Sequence, residues 1–278
     1  MEPPTVVTGR AACCSLAADA PPGARVPVEV RVSVADPFAA YRRARNGPGG
    51  IFFETTGGQP GWGYFAVDPG ERLTVNPDAV VADSTATDES IHDAPSLAAL
   101  AGLLDGETLV RGDCEVPYPC GAFGWLSYDI ARELETLDGD AVDDRGLPRL
   151  QLAVYDCVAA WQAPHDEATE LRITCCPTVP ADLTAADHEA IYESAINRAS
   201  SLAAAAVDGD PAVGAPPVDA RDVTFSSDTD TTAFADNVRQ IQTAIRDGDT
   251  FQTNLSQRLT APAAVHPVAA YDALREVN

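Results

Sequence analysis

The sequence predicts an α+β fold, with antiparallel sheets packed together and helices flanking them. Three observations carry this. Runs that alternate apolar and polar residues mark half-buried strands, beginning with "VPVEVRVSV" (26–34). Glycine-punctuated strands follow one another over 49–75, as in an antiparallel meander. Apolar residues at helical spacing recur over 94–106, 184–206 and 231–247.

Taken in order, the 26–34 strand leads into "DPFAAYRRARNG", with Asp36 as N-cap, Pro37 at the first helical position and Gly47 as the stop. "GGIFFETTGG" (49–58), "GWGYFAVDPG" (61–70) and "ERLTV" supply the three strands of the meander. "APSLAALAGLLDG" (94–106) places Leu97, Leu100, Leu103 and Leu104 on one helical stripe. "CGAFGWLSYDIARELETL" (120–137) reads as a glycine-opened strand running into a helix. Gly121 and Gly124 there mark a bulge or a close backbone approach. "LQLAVYDCVAAWQ" (150–162) reads as one long strand, and "ATELRITCC" (168–176) as its hairpin partner. In the helix over 184–206, Ile191 and Ile196 are the expected inward residues.

Residues 207–230 are rich in Pro, Gly, Asp and Ser and read as a linker. They separate a domain over 1–206 from the beginning of a second over 231–278. In that second part Phe234, Val238, Ile241 and Ile245 share a helix face, and Gly248 ends the helix. "FQTNLSQRL" (251–259) then reads as a strand whose alternate side chains Gln252, Asn254, Ser256 and Arg258 are all polar. Such a face is either an ordinary wet one or the lining of an interdomain seam. The last helix is still running at Asn278.

Composition narrows the function class. The formal net charge is −24, from 42 acidic and 18 basic residues, and every basic residue is Arg. With 45% apolar residues the chain has the material for a core, so it is not an acidic disordered segment. The acid is scattered rather than blocked, which fits adaptation to molar salt. At 1 M the Debye length is about 3 Å, so repulsion among surface carboxylates is screened. A polyanionic nucleic acid is excluded as a partner. Seven cysteines include two adjacent pairs and no C-x-x-C, which reads as reduced cytosolic thiols rather than a disulfide framework or zinc site. His92, His165, His188 and His266 have no metal-ligand spacing. No apolar run is long enough to span a membrane. "AACCSLAADA" is too short for a signal segment and meets Asp19 early.

Residue chemistry by itself names no reaction. Glu54 and Thr55, at a strand end beside Gly57, Gly58, Gly61 and Gly63, offer a carboxylate for an ammonium group and open backbone for a small ligand. Tyr128 and Asp129 are weaker candidates. Gly57 to Gly63 do not open a helix, so they are no phosphate loop.

In order, these segments resemble the large component of chorismate-utilising synthases, which includes anthranilate synthase component I and aminodeoxychorismate synthase component I. "GGIFFETTGG" and "GWGYFAVDP" are similar to the family's "LLES … GRYSFIGLDP". "CGAFGWLSYDIARELETL" resembles its "GYLxYDxxRxxE" stretch, and "LPRLQLAVYDCVAAWQ" its "LPDxxxxxYD" strand. "VRQIQTAIRDGDTFQTNLSQRL" resembles the "GD.YQ.NLSQRF" motif that opens the family's chorismate-binding domain.

The resemblance implies amination of chorismate with ammonia from a glutamine amidotransferase subunit, in the presence of Mg²⁺. It also implies that this chain is an N-terminal portion, because "LREVN" resembles the approach to a downstream "NPSPYM" segment. The magnesium ligands and catalytic groups of relatives lie beyond that point, so no catalytic residue is nominated. Asn254-Leu255 resembles the aminodeoxychorismate branch, which serves p-aminobenzoate and folate synthesis. The alternatives are anthranilate synthase component I, for tryptophan synthesis, and a non-catalytic binding or docking module. By position, the family's tryptophan pocket corresponds to Glu54, Thr55, Gly61, Trp62, Gly63 and Tyr64. Gly61 and Gly63 replace the family's Arg and Ser, which removes the partner for a ligand carboxylate. Chorismate is a dianion, and molar salt removes the long-range repulsion that this acidic surface would otherwise exert.

Overall fold

The computed structural model describes residues 3–55, 57–81, 94–137, 143–164 and 168–277. Thr56, His92, His165 and Asn278 lie outside the described residues. The chain divides into two units, residues 1–211 and 212–278, with the division inside the 207–230 stretch.

The first unit runs β1 (Thr5–Val6), α1 (Arg10–Asp19), β2 (Val28–Val34), α2 (Pro37–Ala44), β3 (Ile51–Phe53), β4 (Gly61–Ala66) and β5 (Glu71–Val75). It continues with α3 (Pro95–Leu104), β6 (Gly121–Leu126), a 3-10 turn (Tyr128–Glu133), β7 (Leu150–Tyr155), β8 (Cys157–Ala163), β9 (Thr169–Cys175) and α4 (Ala185–Asp208). Two antiparallel sheets result, ordered β1-β2-β9-β8-β4-β3 and β5-β7-β6.

The alternation in β2 places Val28, Val30, Val32 and Val34 in the core beneath α4. The opposite face is not simply wet, because Glu29 is also buried. In α4 the buried stripe is Tyr192, Ala195, Ala199, Leu202, Ala203 and Ala206, and the expected Ile191 and Ile196 are only half-buried. Small side chains let the helix axis approach the sheet closely, and the larger isoleucines flank that contact. Asp36 caps α2 by accepting from Ala39 N–H at 2.8 Å. Thr184 and Asp187 form a reciprocal capping box at α4.

Two strand expectations are corrected. The meander ends at β4, because β3 and β4 pair but β5 leaves to pair with β7 in the second sheet. The long strand over 150–162 is two strands, broken at Asp156. Asp156 accepts from Arg25 at 2.6 Å and lies 3.6 Å from Arg198, so the chain is pinned where it passes from the small sheet to the large one. On either side Tyr155 and Val158 are fully buried, which is why composition does not reveal the break.

The small sheet buries Val75, Leu150 and Leu152 against Leu100 and Leu103 of α3. Leu104, expected on that stripe, is 52% exposed. It lies at the helix end and about 100° around from Leu103, so the sheet cannot cover both. The strand-to-helix reading of 120–137 holds for β6, but among the described residues a six-residue 3-10 segment follows it in place of an α-helix. A Cβ on Gly124 would run into the backbone of Gln151 and Leu152, a close-approach requirement.

The second unit contains β10 (Ser226–Ser227), α5 (Thr231–Asp247), β11 (Leu259–Thr260) and α6 (Pro267–Val277). Asp230 accepts from Thr232 and Ala233 N–H at the start of α5. Gly248 ends α5 in the left-handed region at φ 87°, donating to the carbonyls of Ala244 and Ile245. Of the expected inward face, Phe234, Val238 and Ile241 are half-buried and Ile245 is exposed. The strand expected over 251–259 is also corrected. Residues 251–258 belong to no strand, and only Leu259–Thr260 pairs, with Ser226–Ser227. Alternation describes the two faces of a strand; the strand itself requires a neighbouring edge, and β10 offers two residues of one.

Candidate functional site

The six residues assigned to a ligand pocket sit at the β3–β4 hairpin, but not on one face. Glu54 and Thr55 follow β3 and are half-buried, and Thr55 Oγ1 donates to the Trp62 carbonyl at 3.4 Å. Strand alternation then separates the other four. Gly61 and Gly63 face one side of β4, and Trp62 and Tyr64 face the other.

The Gly61–Gly63 side is filled from within. A Cβ on Gly61 would meet the Thr55 side chain, and one on Gly63 would fall inside the Trp161 indole. Trp161, on β8, is 1% exposed. It stacks on Phe52 at 5.4 Å between centroids and tilts against Phe65 at 6.3 Å. Gly63 is therefore small because a tryptophan of the chain itself lies on it. The indole Nε1 is buried with no hydrogen-bond partner among the described residues.

The Trp62–Tyr64 side is different. Tyr64 and Ala66 pack with Val116, Tyr155, Val158 and Ala160, with Trp62 and Phe123 at the margin. Burial pushes the Tyr64 hydroxyl up to about 12. The Arg172 guanidinium lies 5.8 Å from the centre of the Trp62 ring. It is not free to take a ligand, because it donates twice to Glu29, at 2.9 and 3.0 Å, and to Glu115 at 3.2 Å. Glu29 also accepts from Arg31 at 2.7 Å. Burial alone would push the Glu29 carboxyl up, but the hydrogen bonds from Arg172 and Arg31 outweigh it and hold it below its ordinary value. This network ties β2 to β9 and to the 115–119 segment.

In the motif over 120–137 two acidic residues, Asp129 and Glu133, are held in ion pairs. Tyr128 is 96% exposed, and Asp129 pairs with Arg132 at 3.1 Å. Glu133 reaches the start of α3, accepting from Ser96 N–H at 2.9 Å and Ser96 Oγ at 2.8 Å, and from Arg149 at 3.1 Å. Sequence reasoning missed this role. The signal was the bare Ala94-Pro95 start of α3, which has no cap of its own.

In the second unit Gln252, Asn254, Ser256 and Arg258 are exposed. The segment is tied down beside them: Gln257 Nε2 donates to Ser227 Oγ at 2.8 Å, and Arg258 N–H to Asp228 at 3.3 Å. The Arg258 guanidinium lies 3.8 Å from Asp228, a surface ion pair. Among the described residues no group of three or more His, Cys, Asp or Glu side chains gathers as a metal site. Among them, too, no helix is long and apolar enough to cross a membrane.

Comparison with known proteins supplies the wider setting. The family profile described as chorismate binding enzyme matches residues 51–278. "Anthranilate synthase component 1 1" of Haloarcula marismortui is 55% identical over 274 residues, covering 99% of this chain and 53% of that protein. "Anthranilate synthase component 1 3" of the same organism is 54% identical over 257 residues, 92% of this chain and 48% of that protein. "Aminodeoxychorismate synthase component 1" of Bacillus subtilis is 31% identical over 159 residues, 57% of this chain and 31% of that protein. The chain thus spans about half the length of the two Haloarcula marismortui relatives. The motifs, the fold and the matched span agree, and the chain belongs to the chorismate-binding enzyme family.

Proposed function

We propose that this chain is the N-terminal portion of an anthranilate synthase large component adapted to high salt. The whole protein would aminate chorismate with ammonia from a glutamine amidotransferase partner and release pyruvate. The observation that carries this reading is the 55% identity to a haloarchaeal anthranilate synthase component 1 across 99% of the chain. It replaces the aminodeoxychorismate assignment drawn from Asn254-Leu255. A dipeptide weighs less than agreement along the whole chain, and the aminodeoxychorismate relative matches over 57% at 31% identity.

The geometry supports a scaffolding part for this segment. Glu29 pairs with Arg31 and Arg172, Glu133 pairs with Arg149, and the Gly61–Gly63 face is occupied by Thr55 and Trp161. On this reading free tryptophan finds no room on that face. Calorimetry with tryptophan in molar KCl should show no heat, and a saturable exotherm lost in a Gly63→Ser variant would contradict it.

The product is tested on the protein purified from its native cells through a tag on this chain, supplied with chorismate, Mg²⁺ and glutamine in molar KCl. Fluorescent anthranilate with equimolar pyruvate is expected. Formation of 4-amino-4-deoxychorismate without pyruvate would move the protein to the other branch, and no chorismate consumption would overturn both assignments.

A further inference from the structure

Four of the seven cysteines, Cys120, Cys157, Cys175 and Cys176, are brought together around Asp156. Cys157 on β8 and Cys175 on β9 are directly opposed in the antiparallel ladder. One step along the same register, Cys176 N–H donates to the Asp156 carbonyl at 2.8 Å. Hydrogen-bonded and non-hydrogen-bonded pairs alternate in such a ladder, so Cys157 and Cys175 form a non-hydrogen-bonded pair. Pairs of that kind hold their Cα atoms about 4.5 Å apart, within the roughly 4.4–6.8 Å that a disulfide spans.

The two thiols lie within hydrogen-bonding reach of each other, and Arg198 of α4 acts on both. The hydrogen bond from Cys157 pulls Cys175 down, and the same bond, with burial, holds Cys157 up. One proton is thus shared, and the pair gives up its first proton more readily than a lone thiol. Their exposure differs. Cys175 is fully buried, whereas Cys157 is half-buried and lines a cavity of about 410 Å³ with Asp68, Arg198, Ser201 and Leu202. Cys176 is no competitor, because it points to the opposite face, toward Cys120 and the Pro119 carbonyl at 3.4 Å.

We propose that Cys157 and Cys175 form a thiol–disulfide switch, in which Cys157 meets low-molecular-weight disulfides in the cavity beside Arg198 and Cys175 resolves the adduct. Cys157 hands its proton to the Cys175 thiolate as its sulfur attacks one sulfur of the reagent RSSR, forming a mixed disulfide and expelling RS⁻. Cys175 gives up its proton and attacks the Cys157 sulfur, forming the cross-strand disulfide and expelling the second RS⁻. Two electrons pass to the reagent, and the two protons released by the cysteines complete two RSH.

The test treats the folded 278-residue chain in molar KCl with hydroxyethyl disulfide, followed by intact mass and peptide mapping. The wild type should lose about 2 Da without retaining an adduct, show a Cys157–Cys175 link, and recover its mass with dithiothreitol. Cys175→Ser should keep a stable mercaptoethanol adduct on Cys157, and Cys157→Ser should show neither adduct nor link at Cys175. If Cys175→Ser fails to fold, as circular dichroism would reveal, the wild type and Cys157→Ser decide the matter. The proposal is overturned if folded wild type leaves Cys157 unreacted, keeps the mixed disulfide, or links Cys120 to Cys176 instead.

Discussion

Replacing Trp161 with alanine would remove the largest fully buried side chain among the described residues. The ring sits between Phe52 and Phe65 and over Gly63, which has no side chain to move into the gap. β4 and β8 are held by their shared ladder from Gly61↔Ala163 to Phe65↔Ala159, so the walls cannot close on the hole. Because Nε1 has no partner, no hydrogen bond is lost, and the cost is transfer plus cavity. That amounts to about 3–5 kcal/mol. For a unit of this size it lowers Tm by roughly 6–20 °C. Thermal unfolding in molar KCl, followed by circular dichroism, measures it. Free indole at millimolar concentration should then bind the vacated niche and restore part of the loss, as apolar cavities do for apolar ligands. Trp161→Phe should cost less than the alanine variant, since it keeps most of the packing and removes an unpaired N–H. A loss under about 1 kcal/mol with no indole response would show that the Gly63 face is open, and the filled-pocket argument would fail.

Other perturbations test other links. Gly63→Ser drives a Cβ into the same ring and should destabilise by about 1–3 kcal/mol in urea titrations, by overpacking rather than by cavity formation. Arg172→Met strands Glu29 as a buried, half-paired carboxylate and should cost about 3–5 kcal/mol near neutral pH. Since the Glu29 pKa is lowered on folding, its contribution is complete above the unfolded carboxyl value and fades as pH falls through the folded one. The gap between wild type and Arg172→Met should therefore narrow in acid, as tryptophan fluorescence would register, and a gap independent of pH below about 4.3 would refute the ion-pair account. Gly248→Ala places a side chain at φ 87° and should destabilise the second unit by about 1 kcal/mol, seen as loss of helical signal at lower denaturant.

Much of the local structure was legible in the residues. Asp36 with Pro37, Thr184 with Asp187, and Gly248 each announce a helix end through chemistry confined to a few neighbouring positions. The β8–β9 hairpin was readable because its two strands are adjacent in sequence. Of the candidate site, the β3–β4 hairpin bearing Glu54 to Tyr64 was legible, while the side chain that lies on Gly63 was not. Trp161 stands almost a hundred positions away, and nothing near Gly63 in sequence says which side chain will lie on it. The polar alternation over 252–258 misled for a related reason, because periodicity records faces and not the presence of a neighbouring edge.

The sequence by itself determined the class of the fold, the ends of several helices, most strand positions and, through five motifs in order, the family, whereas α1 was not read from it. These rest on backbone preference and side-chain period, which act over a few residues. Only the tertiary structure decided that the 150–162 run divides at Asp156 and that Glu29 is buried in an arginine clamp. It alone decided that Trp161 fills the glycine face of β4 and that Cys157 stands opposite Cys175. Each of those depends on which edges and faces meet across long stretches of chain. That choice is made by burying apolar area and pairing charge over the whole unit, and no short window of sequence contains it.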